Sequence, residues 1–206
     1  MIATWGYADE RQSWSWPSTS PPLSVVVYSK LPTVSLYLNG NLVATQNTSS
    51  TYSTYFTVPY AAGNLTSVGL DTNGQPVVSK SLLTVETGTT LQLMPDRRTL
   101  QASRDDLSYV TVQVGDDMRR RDPNAEVMVT VTVTGAGELA ALGSGDPTTM
   151  HQSLMTSSCR TYRGRCMAIV QPGHPGQAVK GGDIVVTVAA DGFATVTETL
   201  VVQVQG

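Results

Sequence analysis

The run VMVTVTVT at 127–134 alternates valine with methionine or threonine for eight residues, the pattern of a strand with one buried face. Successive strand side chains point to opposite faces, so Val127, Val129, Val131 and Val133 share one side. Wound into a helix, the same residues would scatter their valines around the surface and crowd β-branched carbons against each preceding turn. TLVVQVQ at 199–205 carries a similar pattern. Between other apolar runs stand Asn39-Gly40 and Asn73-Gly74, which supply the two positive-φ positions of a type I′ hairpin turn. No segment holds a helical period for three turns. The chain is read as all-β.

A pass along the chain divides it into an extended front and two blocks. Residues 1–22 hold WGYADERQSWSWP and then Ser18, Thr19, Ser20, Pro21 and Pro22, a poor setting for regular structure and a natural boundary. The first block, 23–86, offers LSVVVYSK, TVSLYLN, LVATQ, YSTYFTVPY, NLTSVGLD and PVVSKSLLTV, six short strands that suit a small β-sandwich. In YSTYFTVPY, Tyr55, Thr57 and Pro59 take one face and Phe56, Val58 and Tyr60 the other. The second block, 87–206, offers TLQLMP, SYVTVQVG, EVMVTVTVTG, GELAALG, RTYRGRCMAIV, DIVVTVAAD and ATVTETLVVQV. Seven strands in that length fit an immunoglobulin-like sandwich. The expected fold is therefore two consecutive immunoglobulin-like β-sandwich domains after an extended N-terminal segment.

Charge narrows the function. Only 14% of residues are charged, and the net charge of −3 gives no basic face for a nucleic acid. The one basic run, Arg119, Arg120 and Arg121, is flanked by Asp116, Asp117 and Asp122 and reads as a solvated loop. No stretch of 18 apolar residues is present, so no helical membrane span is expected. Asn47-Thr48-Ser49 and Asn64-Leu65-Thr66 are acceptor sequons, a weak pointer to a secretory route with no compartment fixed by it.

Cys159 and Cys166 are the two cysteines. Seven residues apart in what reads as one strand, they have opposite parity and point to opposite faces. Two buried, reduced thiols are the expectation. His151 and His174 stand alone, so no zinc spacing can be assembled, and no cofactor motif is present.

Catalytic carboxylates of the carbohydrate type must flank the scissile bond. The candidates are Asp9 with Glu10, Asp105 with Asp106, Asp116 with Asp117, and Glu126 or Glu138. Neighbouring residues on a strand face opposite ways, and Asp105 and Asp106 sit where such side chains close turns on the backbone. No Gly-x-Ser-x-Gly elbow occurs, and GSGDP at 143–147 leads into no helix that would make it a phosphate loop. No catalytic residue is assigned.

All three tryptophans, Trp5, Trp14 and Trp16, lie in the front segment. Trp14 and Trp16 alternate about Ser15 and share a face if the segment is extended. Aromatic area of this size ahead of a β domain marks a contact surface. The three are candidate interdomain or sugar-contacting aromatics.

These residues carry a family resemblance. WGYADERQSWSWP, then LSVVVYSKLPTVSLYLNGNLVA, then FTVPYAAGNLTSVGLDTNGQPVVSKSLLTV resembles the C-terminal region of β-galactosidase-like enzymes of glycoside hydrolase family two. LMPDRRTLQASRDDLSYVTVQVGDD, GAGELAALGSGDP and TYRGRCMAIV are similar to that family's final immunoglobulin-like domain. Ser144 in GSGDP is a departure, since family members more often carry Asn there. The resemblance implies a parent that hydrolyses β-galactosides or related β-linked sugars with retention. Both of that family's catalytic glutamates lie on a (β/α)₈ barrel of some 250 residues, so none maps onto this chain. The implied partner is that barrel, in the same parent chain. A carbohydrate-binding module, with carbohydrate as partner, and cell-surface adhesion-type immunoglobulin-like domains are the competing readings.

Overall fold

The computed structural model describes residues 12–16, 21–85, 88–147 and 154–204. All regular structure among them is strand, and the chain divides into two compact units, 1–84 and 85–206.

The first unit holds six strands: β1 (Leu23–Tyr28), β2 (Thr33–Leu38), β3 (Asn41–Asn47), β4 (Ser53–Val58), β5 (Asn64–Leu70) and β6 (Pro76–Leu83). β1 and β4 pair antiparallel as a two-stranded sheet, and the other four form a sheet in the order β3-β2-β5-β6. Alternation places Val34 and Leu36 of β2, Phe56 and Val58 of β4, and Leu65 of β5 in one core. Tyr55 and Thr57 face solvent, as period two requires. At the β2–β3 hairpin Asn39 has φ 52° and Gly40 φ 81°, the two positive values expected of a type I′ turn. The β5–β6 hairpin closes differently. Asp71 Oδ1 accepts the backbone N–H groups of Asn73 and Gln75, and only Gly74 adopts positive φ there.

The second unit holds β7 (Thr90–Pro95), β8 (Thr99–Gln101), β9 (Ser108–Gly115), β10 (Met128–Gly135), β11 (Gly137–Gly143), β12 (Ser158–Arg160), β13 (Arg165–Pro172), β14 (Gly182–Ala189) and β15 (Val196–Gln203). They form a five-stranded sheet, β12-β10-β14-β15-β8, and a four-stranded sheet, β11-β13-β9-β7. One core joins the two. Val129, Val131, Ile184, Val186, Val188 and Leu200 come from the first sheet, and Leu91, Val110, Val112, Val114, Ala168 and Val170 from the second. Both units are β-sandwiches, as the alternating runs require.

Two differences from the sequence reading have clear causes. β8 is three residues long and pairs in parallel with β15, about a hundred positions away, so no local pattern announces it. RTYRGRCMAIV is not one strand. Arg163 (φ 50°) and Gly164 (φ 73°) make a tight reversal, with backbone bonds in both directions between Tyr162 and Arg165. β12 and β13 therefore lie in opposite sheets. The opposite-face argument for Cys159 and Cys166 fails with the single strand, because both thiols enter the one core between the sheets. Both are free and buried.

The 116–122 loop is also more ordered than a solvated basic run. Asp116 Oδ1 accepts the N–H groups of Met118 and Arg120, and its Oδ2 takes the Arg120 guanidinium at 2.7 Å. Burial pushes the Asp116 carboxyl up. The hydrogen bonds from Arg120 and Met118 and the charge of Arg120 outweigh it, and the net result lies below the ordinary carboxylate value. A group depressed in the folded state stabilises above its unfolded pKa, and that contribution is lost as pH falls through the folded pKa. The stability difference between the wild type and Asp116→Asn is therefore expected to shrink below about pH 4. Urea midpoints of the two proteins across the acid range check this; a gap independent of pH would remove the carboxylate from the account.

Candidate functional site

Residues 12–16 of the aromatic segment are built into the first unit. Trp14 is only 2% exposed and belongs to the same core as Val34, Leu36, Phe56, Val58 and Leu65. The indole thus joins a core drawn from the two-stranded and the four-stranded sheet. Its polar edge is satisfied: the Trp14 indole N–H donates to the Ala61 carbonyl at 3.0 Å. Its ring meets that of Tyr60 at 5.3 Å between centroids and a 56° tilt, a favourable aromatic arrangement. The backbone is fixed as well, since Thr84 Oγ1 donates to the Trp14 carbonyl at 2.7 Å. Residues from before β1, after β4 and after β6 are thereby tied together.

Trp16 packs against the same core but keeps part of its surface in solvent. Its backbone N–H donates to the Tyr60 hydroxyl at 3.3 Å. Ser15 between the two is buried, and its N–H donates to Ser13 Oγ. Trp5 lies outside the described residues, so of the three candidates Trp14 and Trp16 are brought together. Trp14 presents no open ring face, whereas stacking on a sugar needs one. The sequence reading places Tyr60 on the face of Phe56 and Val58, as found, but the hydroxyl at Thr84 bears no local signal of its partner 70 residues earlier.

Several carboxylates in the described residues have structural tasks. Asp106 accepts the Gln101 N–H at 2.7 Å and pairs with Arg97 at 2.8 Å, closing its turn as such residues do. Glu138 of β11 accepts from Arg104, whose other bond goes to Gln171 of β13. Asp122, buried, accepts the N–H groups of Gly88 and Asn124. Asp9 and Glu10 lie outside the described residues, as does His151. His174 faces the Gly135 carbonyl. Among the described residues no group of three or more His, Cys, Asp or Glu side chains is placed to hold a metal ion, and no helix is long and apolar enough to cross a membrane. Arg121 sits beside Arg163 and Arg165. Burial first, then the two neighbouring charges, hold its guanidinium below the ordinary value.

Comparison with known proteins places both units. Residues 91–199 match the family model "Glycoside hydrolase family 2 C-terminal domain 5", and residues 21–78 match a domain of unknown function, DUF4982. A curated relative, Beta-galactosidase BoGH2A of Bacteroides ovatus, is 26% identical over 167 residues, which are 80% of this chain and 19% of the relative. A solved glycosyl hydrolase family 2 member from Bacteroides cellulosilyticus superposes with a TM-score of 0.89 at 26% identity, over 96% of this chain and 25% of that one. A family 2 β-glucuronidase shares the fold at a TM-score of 0.82 and 20% identity, over 93% of this chain and 19% of that one. The chain thus spans about a fifth to a quarter of the proteins it matches.

Proposed function

Since the chain belongs to the glycoside hydrolase family 2 C-terminal domain 5 family through residues 91–199, we propose that it is the non-catalytic C-terminal region of a β-galactosidase-like enzyme. Its two sandwiches, 23–86 and 87–206 by the sequence reading, buttress a (β/α)₈ catalytic barrel in the same parent chain, and residues 1–22 are the link from that barrel. The observation that carries this reading is that matches to much longer family 2 proteins run through both units in order. The β-galactoside preference rests on the name of the Bacteroides ovatus relative.

In this reading Trp14 is the anchor of the link. An incoming chain bolted into the first sandwich core transmits the barrel's position to the accessory domains, and Trp16, with Trp5, continues that docking surface. The enclosure of Trp14 favours docking over a sugar platform. The chain alone is expected to show no turnover of a chromogenic β-galactoside beyond buffer, while an intact family 2 homologue does. Turnover that disappears on mutating an Asp or Glu of this chain would refute the non-catalytic assignment.

A further inference from the structure

We infer that Cys159 and Cys166 are an inter-sheet disulfide site, closed when the chain folds in the presence of a small-molecule disulfide and then sealed in the core of the second sandwich. Cys159 lies on β12, opposite Val129 of the five-stranded sheet, and Cys166 on β13, opposite Val112 of the four-stranded sheet. The 162–165 reversal carries the chain from one sheet to the other, so seven positions of sequence become a contact across the core. The Cys166 thiol points at the Cys159 carbonyl, 3.9 Å away. The two residues are 0% and 2% exposed. Burial pushes the Cys166 thiol far up, and the charge and side-chain hydrogen bond of Cys159 push it further. No third ligand-bearing side chain joins them among the described residues. The pair therefore has the ligand count of a disulfide, not of a zinc centre.

The chemistry is ordinary exchange. One cysteine thiolate attacks the reagent disulfide, breaking its S–S bond, forming a mixed disulfide and expelling one reagent thiolate. The second cysteine thiolate attacks the protein sulfur of that mixed disulfide, forming the Cys159–Cys166 bond and expelling the other. Two electrons pass from the protein to the reagent, and the two cysteine protons end on the released thiols. Exchange needs a thiolate and access, and the folded core supplies neither. The bond consequently forms before the sheets close and not after.

The full chain is unfolded in denaturant and refolded with oxidised and reduced glutathione. A second sample, folded with both thiols reduced, meets the same mixture without denaturant. Each is then denatured, alkylated and weighed intact. The refolded sample is expected to lose the mass of two hydrogens and take no alkyl groups, while the pre-folded sample takes two. Closing this loop should raise the thermal midpoint of the 85–206 unit by roughly 5–10 °C over the reduced protein. The mass readout holds whether or not a Cys159→Ser control folds, and that control should carry glutathione or a free thiol but no internal bond. Two free thiols, a glutathione adduct on either cysteine of the refolded wild type, or an oxidised form that melts lower would each overturn the assignment.

Discussion

Trp14→Ala is expected to cost the first sandwich about 3–5 kcal/mol, the usual range for emptying a buried aromatic site. The indole shares one core with Leu36, Phe56, Val58 and Leu65, all nearly inaccessible themselves and drawn from both sheets, so little of the emptied space can be taken up by water. The substitution also leaves the Ala61 carbonyl without its indole donor and removes the ring partner of Tyr60, and orphaning a buried polar group adds to the loss. Urea unfolding followed by tryptophan emission reads this unit selectively, because all three tryptophans precede β1. Trp14→Phe, which keeps much of the volume and loses the indole N–H, should fall between. A Trp14→Ala protein with the wild-type midpoint would mean that residues 12–16 are not part of the core.

Gly164→Ala is expected to be the most damaging single methyl in the second sandwich, at about 3–5 kcal/mol from backbone strain and steric overlap together. Gly164 has φ +73°, and a Cβ there would stand 2.0 Å from the Asp122 carbonyl oxygen. Backbone cannot swing aside as a flexible side chain would. The same turn donates its N–H to the Ala125 carbonyl and accepts from the Val114 N–H, so relieving the clash breaks bonds to both neighbours. Gly40→Ala is the internal control. Gly40 also has positive φ, +81°, but its Cβ would meet nothing within 4 Å, which leaves only the conformational cost of about 1–2 kcal/mol. Equal losses at the two sites in chemical denaturation would show that φ, and not the close approach to Asp122, dominates at Gly164.

Where the chain's information is local, the sequence was readable. Five of the six strands of the first unit lie within the apolar runs, and β3 extends LVATQ by one residue at each end, since period two and the paired Asn-Gly signals act over a few residues. Even there Asp71 reshaped the second hairpin through bonds to Asn73 and Gln75, a competition between side-chain capping and the tighter turn. What escaped was set by distant partners. β8 exists because β15 offers an edge, and Trp14 is buried because Ala61, Tyr60 and Thr84 converge on it from far along the chain. The one error with a local signal was the reversal at Arg163 and Gly164, where an x-Gly pair within a presumed strand marked a turn. That turn is what sets Cys159 and Cys166 in facing sheets.

An accessory region that stabilises a catalytic barrel acts through the fold of the parent enzyme and not through contact with substrate. The direct measurement is on a full-length parent enzyme, compared with the same enzyme carrying Trp14→Ala and Trp16→Ala, by thermal unfolding and by steady-state kinetics on a soluble β-galactoside. The expected result is a lower unfolding temperature with KM unchanged in the enzyme that remains folded. An unchanged unfolding temperature with a selective rise in KM would contradict it and assign the tryptophans to the sugar.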